Sequence, residues 1–351
     1  MRAYFTDFLL LYLMNTIDTI SDLLSLSNSQ YRIFDVGRKI SKLSKETFSK
    51  VEQNQLPYPY PIQGHAMLAV AFWQNKSSMP YLWFVKLPLD ERGLIVQASR
   101  NHYIAIIIEA LGSDLSVDPT EQQEELLKAN PYNFTPAGYK LAALNSQLKV
   151  ELKQAPSIHF EFAQQYISGQ HPWTDWPNIG LQGLCDVSCR VNDKNINSEM
   201  SKHLHALPEQ VLFPLCTALE NQALPLNVIA AITSIYDGED KDKSLHLVRA
   251  LASTANHQHV AELVDNILVS GSLSEDMIIT LAGRCWTVFE QPSRLQKLLE
   301  LLAKRDDSQL FQAIFKDLVA IPSVRPHVFT VMRAENRSNE LAAAIGQLFN
   351  A

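Results

Sequence analysis

From Pro208 to the end of the chain, apolar residues recur every three or four positions, the spacing of one face of an α-helix. Met277, Ile278, Leu281, Ala282, Cys285, Trp286 and Phe289 trace one wide stripe. Leu295, Leu298, Leu299 and Leu302 trace a second, and Leu310, Phe311, Ile314, Phe315, Leu318 and Val319 a third. Polar or Pro-containing breaks separate them. Pro225 and Pro292 stand where first-turn prolines belong, and Asp306, Asp307 or Ser308 can cap a helix. The breaks fall roughly every 14–19 residues, so two helices make a unit of about 30–35, the size of the stacked pairs in α-solenoids. No residue identities repeat at that period, and the tetratricopeptide and ankyrin signatures are absent. An irregular, compact orthogonal bundle is therefore the alternative packing.

The first half is patterned differently. Asn15 to Leu24 reads as a capped amphipathic helix with Ile17, Ile20, Leu23 and Leu24 on one face. Tyr31–Val36 is β-prone, with Gly37 at a turn or bulge. Lys42 to Gln55 reads as a helix whose inner face holds Phe48 and Val51, and Leu56–Pro61 as extended chain. Ala66–Trp73 and Tyr81–Leu87 read as two adjacent strands, although His65–Trp73 also fits a helix. Leu94–Leu111 is a mostly buried helix ending at Gly112. Short helices are predicted around Thr120–Ala129 and over Ala137–Gln154, and an element of either type over Ile158–Ile167. The loop-rich stretch Ser168–Pro177 is the expected boundary. The predicted organisation is an aromatic-rich α+β domain with a small sheet at 14–176, then an all-α helical-repeat-like domain at 177–351, mainly α overall. Ten of the eleven Tyr and four of the five Trp lie before Pro177, which accords with that division.

Charge alters the picture only by exclusion. The net charge of −7 is spread along the chain, with 15 Lys+Arg against 17 Asp+Glu in residues 1–175 and 15 against 20 beyond. Neither half has the basic excess of a non-specific nucleic-acid binder. Arg32, Arg38, Lys39, Lys42, Lys45 and Lys50 form the densest basic stretch, and RNA or ribosome binding requires them to form one patch. Four cysteines suit a reducing compartment rather than a disulfide scaffold. Cys185 and Cys189 read as small buried hydrophobes. The apolar run Phe8–Met14 is too short to span a bilayer, which takes about 20 residues. It also lacks a cleavage site, so residues 1–13 read as a gene-start artefact with translation from Met14.

Local motifs for chemistry are absent: no phosphate-cradling loop, GxGxxG, GxSxG, HExxH or paired CxxC occurs. No cofactor or metal is expected. His203/His205 and His257/His259 sit near helix ends, where residues two apart diverge by about 200°, and read as exposed or capping residues. Asp237–Asp242 lacks the ligand register of a calcium loop and reads as a solvated turn. His171 and Asp175, set between Trp173 and Trp176, are the candidates for an acid–base pair in a hydrolase or transferase site at the domain seam. Arg284 and Trp286, with Arg38, Trp173 and Trp176, are the candidates for binding.

Tyr31–Arg38, the Pro57–Pro61 stretch, Lys86–Leu94, Ala282–Trp286 and Asp317–Arg325 resemble the signature segments of a gammaproteobacterial family catalogued as a domain of unknown function. The resemblance runs from about Met14 to Ala351. It implies a bacterial cytoplasmic protein and transfers no activity and no catalytic residue. The leading expectation is a non-enzymatic adaptor that binds another protein through its helical half, without a membrane span. A small-molecule ligand is left open.

Overall fold

The computed structural model describes residues 17–74, 80–111, 120–271, 273–305 and 307–349. The expected artefact at 1–13 lies outside them. The chain divides into two compact units, residues 1–136 and 137–351.

The first unit is built on an antiparallel four-stranded sheet in the order β2-β1-β3-β4. Its strands are β1 (Gln30–Asp35), β2 (Ser41–Leu43), β3 (His65–Trp73) and β4 (Tyr81–Pro88). Four helices accompany them: α1 (Ile20–Leu26), α2 (Lys45–Glu52), α3 (Gln97–Leu111) and α4 (Glu121–Lys128). β3 is central, and its alternate residues Ala66, Leu68, Val70 and Phe72 join one core with Leu23, Leu24, Phe48, Tyr103 and Ile107 of the helices. The helix expected over Lys42–Gln55 begins later than its polar pattern suggested. Ser41–Leu43 pairs with Asp35–Ile33 as a strand, and Ser44 then caps α2 by accepting from the Thr47 amide. The outer edge of β4 is covered: Lys86 and Phe134 amides bond to Tyr132 and Phe84 carbonyls.

The start of α1 is closed from a distance. Thr19 and Asp22 form a capping box, and the Glu52 carboxylate accepts from the Ile20 amide at 2.6 Å, the Ser21 amide at 3.1 Å and the Ser21 hydroxyl at 2.6 Å. Glu52 is fully buried at the end of α2, and Arg100 of α3 donates to its backbone carbonyl. Three helices thus meet at one residue.

The second unit contains, among the described residues, thirteen α-helices. They are α5 (Gly138–Glu151), α6 (Phe160–Ile167), α7 (Leu181–Ser188), α8 (Lys194–His203), α9 (Glu209–Leu219), α10 (Leu226–Ser234), α11 (Lys241–Ala250), α12 (Gln258–Ser270), α13 (Glu275–Arg284), α14 (Pro292–Ala303), α15 (Ser308–Ala320), α16 (Arg325–Arg333) and α17 (Asn339–Leu348). Each packs on the second helix along. One row runs α5, α7, α9, α11, α13, α15, α17, and the other α6, α8, α10, α12, α14, α16. Short 3₁₀ turns such as Trp286–Glu290 join the rows. The stripes read from sequence are the buried faces: Leu295, Leu298, Leu299 and Leu302 of α14 are all buried. Asp307 caps α15 and Pro292 opens α14.

Polar links between neighbours in a row carry a similar sequence separation. Asn227 to Asn197 spans 30 residues, Arg305 to the Leu273 carbonyl 32, and Ser253 to the Glu220 carbonyl 33. The loop-rich stretch 168–177 lies within this unit, because α5 and α6 before it pack on α7 and α8 beyond it. Gly183 marks the closest approach of α6 and α7: a Cβ there would stand 2.6 Å from the His159 carbonyl oxygen and 3.0 Å from Ala163 Cβ.

Two outcomes follow from these contacts. Gly183→Ala should lower stability by about 1–3 kcal/mol, read as a fall in denaturant midpoint. Burial pushes the Glu52 carboxyl from its ordinary 4.5 up to about 7, against the pull of its hydrogen bonds from Ser21 and Ile20. The folded chain therefore holds this proton between those values while the unfolded chain does not, so stability falls as pH rises from 4.5 to 7 and is level above. The expected loss is about 3 kcal/mol. Amide exchange of α1, corrected for intrinsic rates, should report it, and Glu52→Gln should remove the pH dependence.

Candidate binding surface

Three of the segments that resemble the family signature, Tyr31–Arg38, Pro57–Pro61 and Lys86–Leu94, lie in the first unit, where buried polar contacts tie them together. Asp35, Arg38 and Lys39 are all buried. Tyr58 donates to Asp35 Oδ1 at 2.6 Å, the Arg38 amide to Asp35 Oδ2 at 3.2 Å, and Arg38 Nε to the Pro61 carbonyl at 2.7 Å. The Tyr58 amide bonds to the Gly93 carbonyl, which ties in the turn after β4. A Cβ on Gly37 would lie 2.9 Å from Ile62. Burial and the Asp35 charge hold the Tyr58 phenol far above its ordinary pKa. This is a dry polar clasp, and Arg38, at 2% exposure, offers no surface for binding.

The basic stretch does not assemble into one patch. Arg38 and Lys39 are inside, Arg32 and Lys45 lie over the Trp73 and Tyr31 rings, and Lys50 pairs with Glu46. At the expected seam, His171 bonds to Gln165 at 3.2 Å and packs on Phe162, not on Asp175. Trp173 stacks edge-on with Tyr166, whose hydroxyl donates to the Trp173 carbonyl. Asp175 lies close enough to help raise the Tyr166 phenol, after burial. Trp176 is 40% exposed. Trp286 is 3% exposed and belongs to the core.

His257 caps α12 by accepting from the His259 amide, and no group of three His, Cys, Asp or Glu among the described residues can hold a metal. None of the four cysteines is bridged to another. Burial pushes the Cys185 and Cys189 thiols up to about 12, so neither is a nucleophile at neutral pH.

Arg284 is different. It stands in the last turn of α13, beside the ends of α9 and α11 in the same row. Glu220, 1% exposed, follows α9 and receives a bidentate pair from Arg249 of α11, at 2.5 and 2.9 Å. Burial works against the Arg249 charge, but the Glu220 carboxylate outweighs it and raises the guanidinium pKa. Arg284 approaches the same carboxylate only to 3.6 Å, too far for a hydrogen bond, and is 23% exposed. Two guanidinium groups thus share one carboxylate, leaving one positive charge over.

Tyr139 lies beneath Arg249 at 5.4 Å. On the same two helices Phe213 and His246 stack at 4.2 Å, almost parallel. Burial and the Arg249 charge hold His246 below its ordinary pKa, and its Nδ1 has no hydrogen-bond partner. Two guanidinium groups thus meet one carboxylate, and Arg249 lies beside aromatic faces. Of these residues the sequence names only Arg284, as a candidate; Glu220, Arg249, Phe213, His246 and Tyr139 carry no signal of their own. One signal was available: Glu220 to Arg249 and Asp265 to Arg294 are opposite charges at the same separation of 29 residues.

These features define a mainly α protein with a small N-terminal antiparallel sheet, whose helices bring Arg249 and Arg284 to the Glu220 carboxylate. The chain belongs to the family described as Protein of unknown function (DUF3549), which it matches over residues 15–349. No curated protein and no solved structure matches it. No helix among the described residues is long and apolar enough to cross a membrane.

The two arginines should respond differently to truncation. Arg249→Ala strands a buried carboxylate and should cost about 3 kcal/mol. Arg284→Ala should cost less than about 1 kcal/mol. Chemical denaturation of both variants checks the contrast, and equal losses would make Arg284 a structural residue.

Proposed function

We propose that this protein is a non-enzymatic adaptor whose helical rows form an irregular α-solenoid and bind an acidic segment of a partner protein across the Arg284 surface. The observation that carries the reading is Arg284 itself. Of the arginines in the family-like segments, Arg38 donates to the Pro61 carbonyl and Arg325 to the Val319 and Ala320 carbonyls. Among the described residues Arg284 makes no hydrogen bond, which leaves its planar fork of donors for a carboxylate or phosphate from outside. Tyr139, Phe213 and His246 add faces of the kind that anchor interfaces. Stacked helix pairs supply such surfaces. The free cysteines suit a reducing compartment, and a cytoplasmic site of action accords with them.

A photo-crosslinking side chain at position 280, one turn before Arg284, tests this in the native host. The expected result is a discrete adduct whose linked partner peptide is acidic. Arg284→Glu should abolish that adduct while thermal melting stays within a degree or two. An adduct that persists in Arg284→Glu would remove the proposed role.

A further inference from the structure

The exposed turn at residues 237–240, which leads into α11, borders a feature that the Arg284 surface does not use. Between this turn, the end of α12 and the start of α13 lies a cleft of about 440 Å³. Its floor is apolar, formed by the buried side chains of Ile267, Leu273 and Met277. Ser244, 3% exposed, also lines it, and the Ser244 hydroxyl forms no hydrogen bond of normal geometry although the Tyr236 phenol lies near. A buried hydroxyl whose nearest neighbour offers so poor a geometry can still bond to a group entering the cleft.

The rim is acidic. Residues 237–242 hold four carboxylates and one lysine, a net charge of −3. Asp237 spends Oδ1 on the Glu239 and Asp240 amides, and Asp240 caps α11. The Glu239 carboxylate, which lines the cleft, has no ion pair or hydrogen bond among the described residues. Asp237 Oδ2 and Glu239 are therefore available to one incoming charge. Lys241 at the same rim disfavours a second cationic group beside the first.

The geometry points to a binding site for an ammonium or guanidinium group carried on an alkyl stem. The stem lies on Ile267, Leu273 and Met277, the cation meets Asp237 and Glu239, and a polar atom of the ligand pairs with Ser244. A lysine or arginine side chain of a polypeptide and a free alkyl amine share this chemistry. The inference is independent of the Arg284 reading, which concerns the opposite charge on other residues.

The test is calorimetric titration of the full chain with four probes: N-acetyl-lysine amide, N-acetyl-arginine amide, putrescine and N-acetyl-glutamate amide. Saturable binding of at least one cation, with a millimolar or tighter dissociation constant, is expected, and none of the glutamate probe. Tighter binding of the acetylated amino acids identifies a polypeptide side chain as the source, and tighter binding of putrescine a free amine. Asp237→Asn with Glu239→Gln, both at exposed positions, should weaken the cation at least tenfold. Ser244→Ala should weaken it about threefold, within the range of one neutral hydrogen bond. Absence of saturable binding by every cation, or unchanged affinity in the double variant, would overturn the site.

Discussion

Helices of eight to thirteen residues have little stability of their own in water, because nucleation costs more than a few hydrogen bonds return. The second unit is made almost wholly of such helices, so each exists because its apolar stripe is covered by others. Much of the cover comes from the helix two places along, in both rows, and the rest from packing between the rows, as of α6 on α7. That single rule explains why the stripes are wide and why the connections are short. It also explains why polar cross-links such as Arg249 to Glu220 and Arg294 to Asp265 recur at a separation of 29 residues. The cationic surface is a product of the same rule, since only stacking within a row brings the ends of α9, α11 and α13 side by side.

The first unit solves a different problem. Its sheet has few residues with which to anchor long connections, and it uses buried polar groups at the joints instead. Glu52 holds the start of α1, and Asp35 holds Tyr58 and the turn that follows β1. Each carboxylate is surrounded by donors, which is the condition for placing such a group out of water. The segments by which the chain resembles its family are, in this unit, those joints. Arg284 departs from the pattern because its nearest carboxylate is already engaged by Arg249.

Much of the architecture was legible in periodicity. The two strands of the β3–β4 hairpin, the stripe of α14 and the caps at Asp307 and Pro292 stand where alternation and capping chemistry placed them. Ser41–Leu43 was not legible, because three residues are too few to show a period of two. The unit boundary was obscured by composition: tyrosine and tryptophan continue through Tyr139, Tyr166, Trp173 and Trp176, which belong to the helical unit. Of the Glu220 cluster only Arg284 stood out in sequence, as a polar side chain next to an apolar stripe. Glu220 and Arg249 look ordinary in sequence, and their meeting depends on how helices stack.

The short reach of the contacts in the helical rows has a consequence for biosynthesis. A helix leaving the ribosome finds its docking surface on the helix made two places earlier, with no need to wait for distant chain. Synthesis can therefore add the rows in order, each pair serving as the template for the next. An apolar stripe then stays uncovered only for the time needed to translate two more helices.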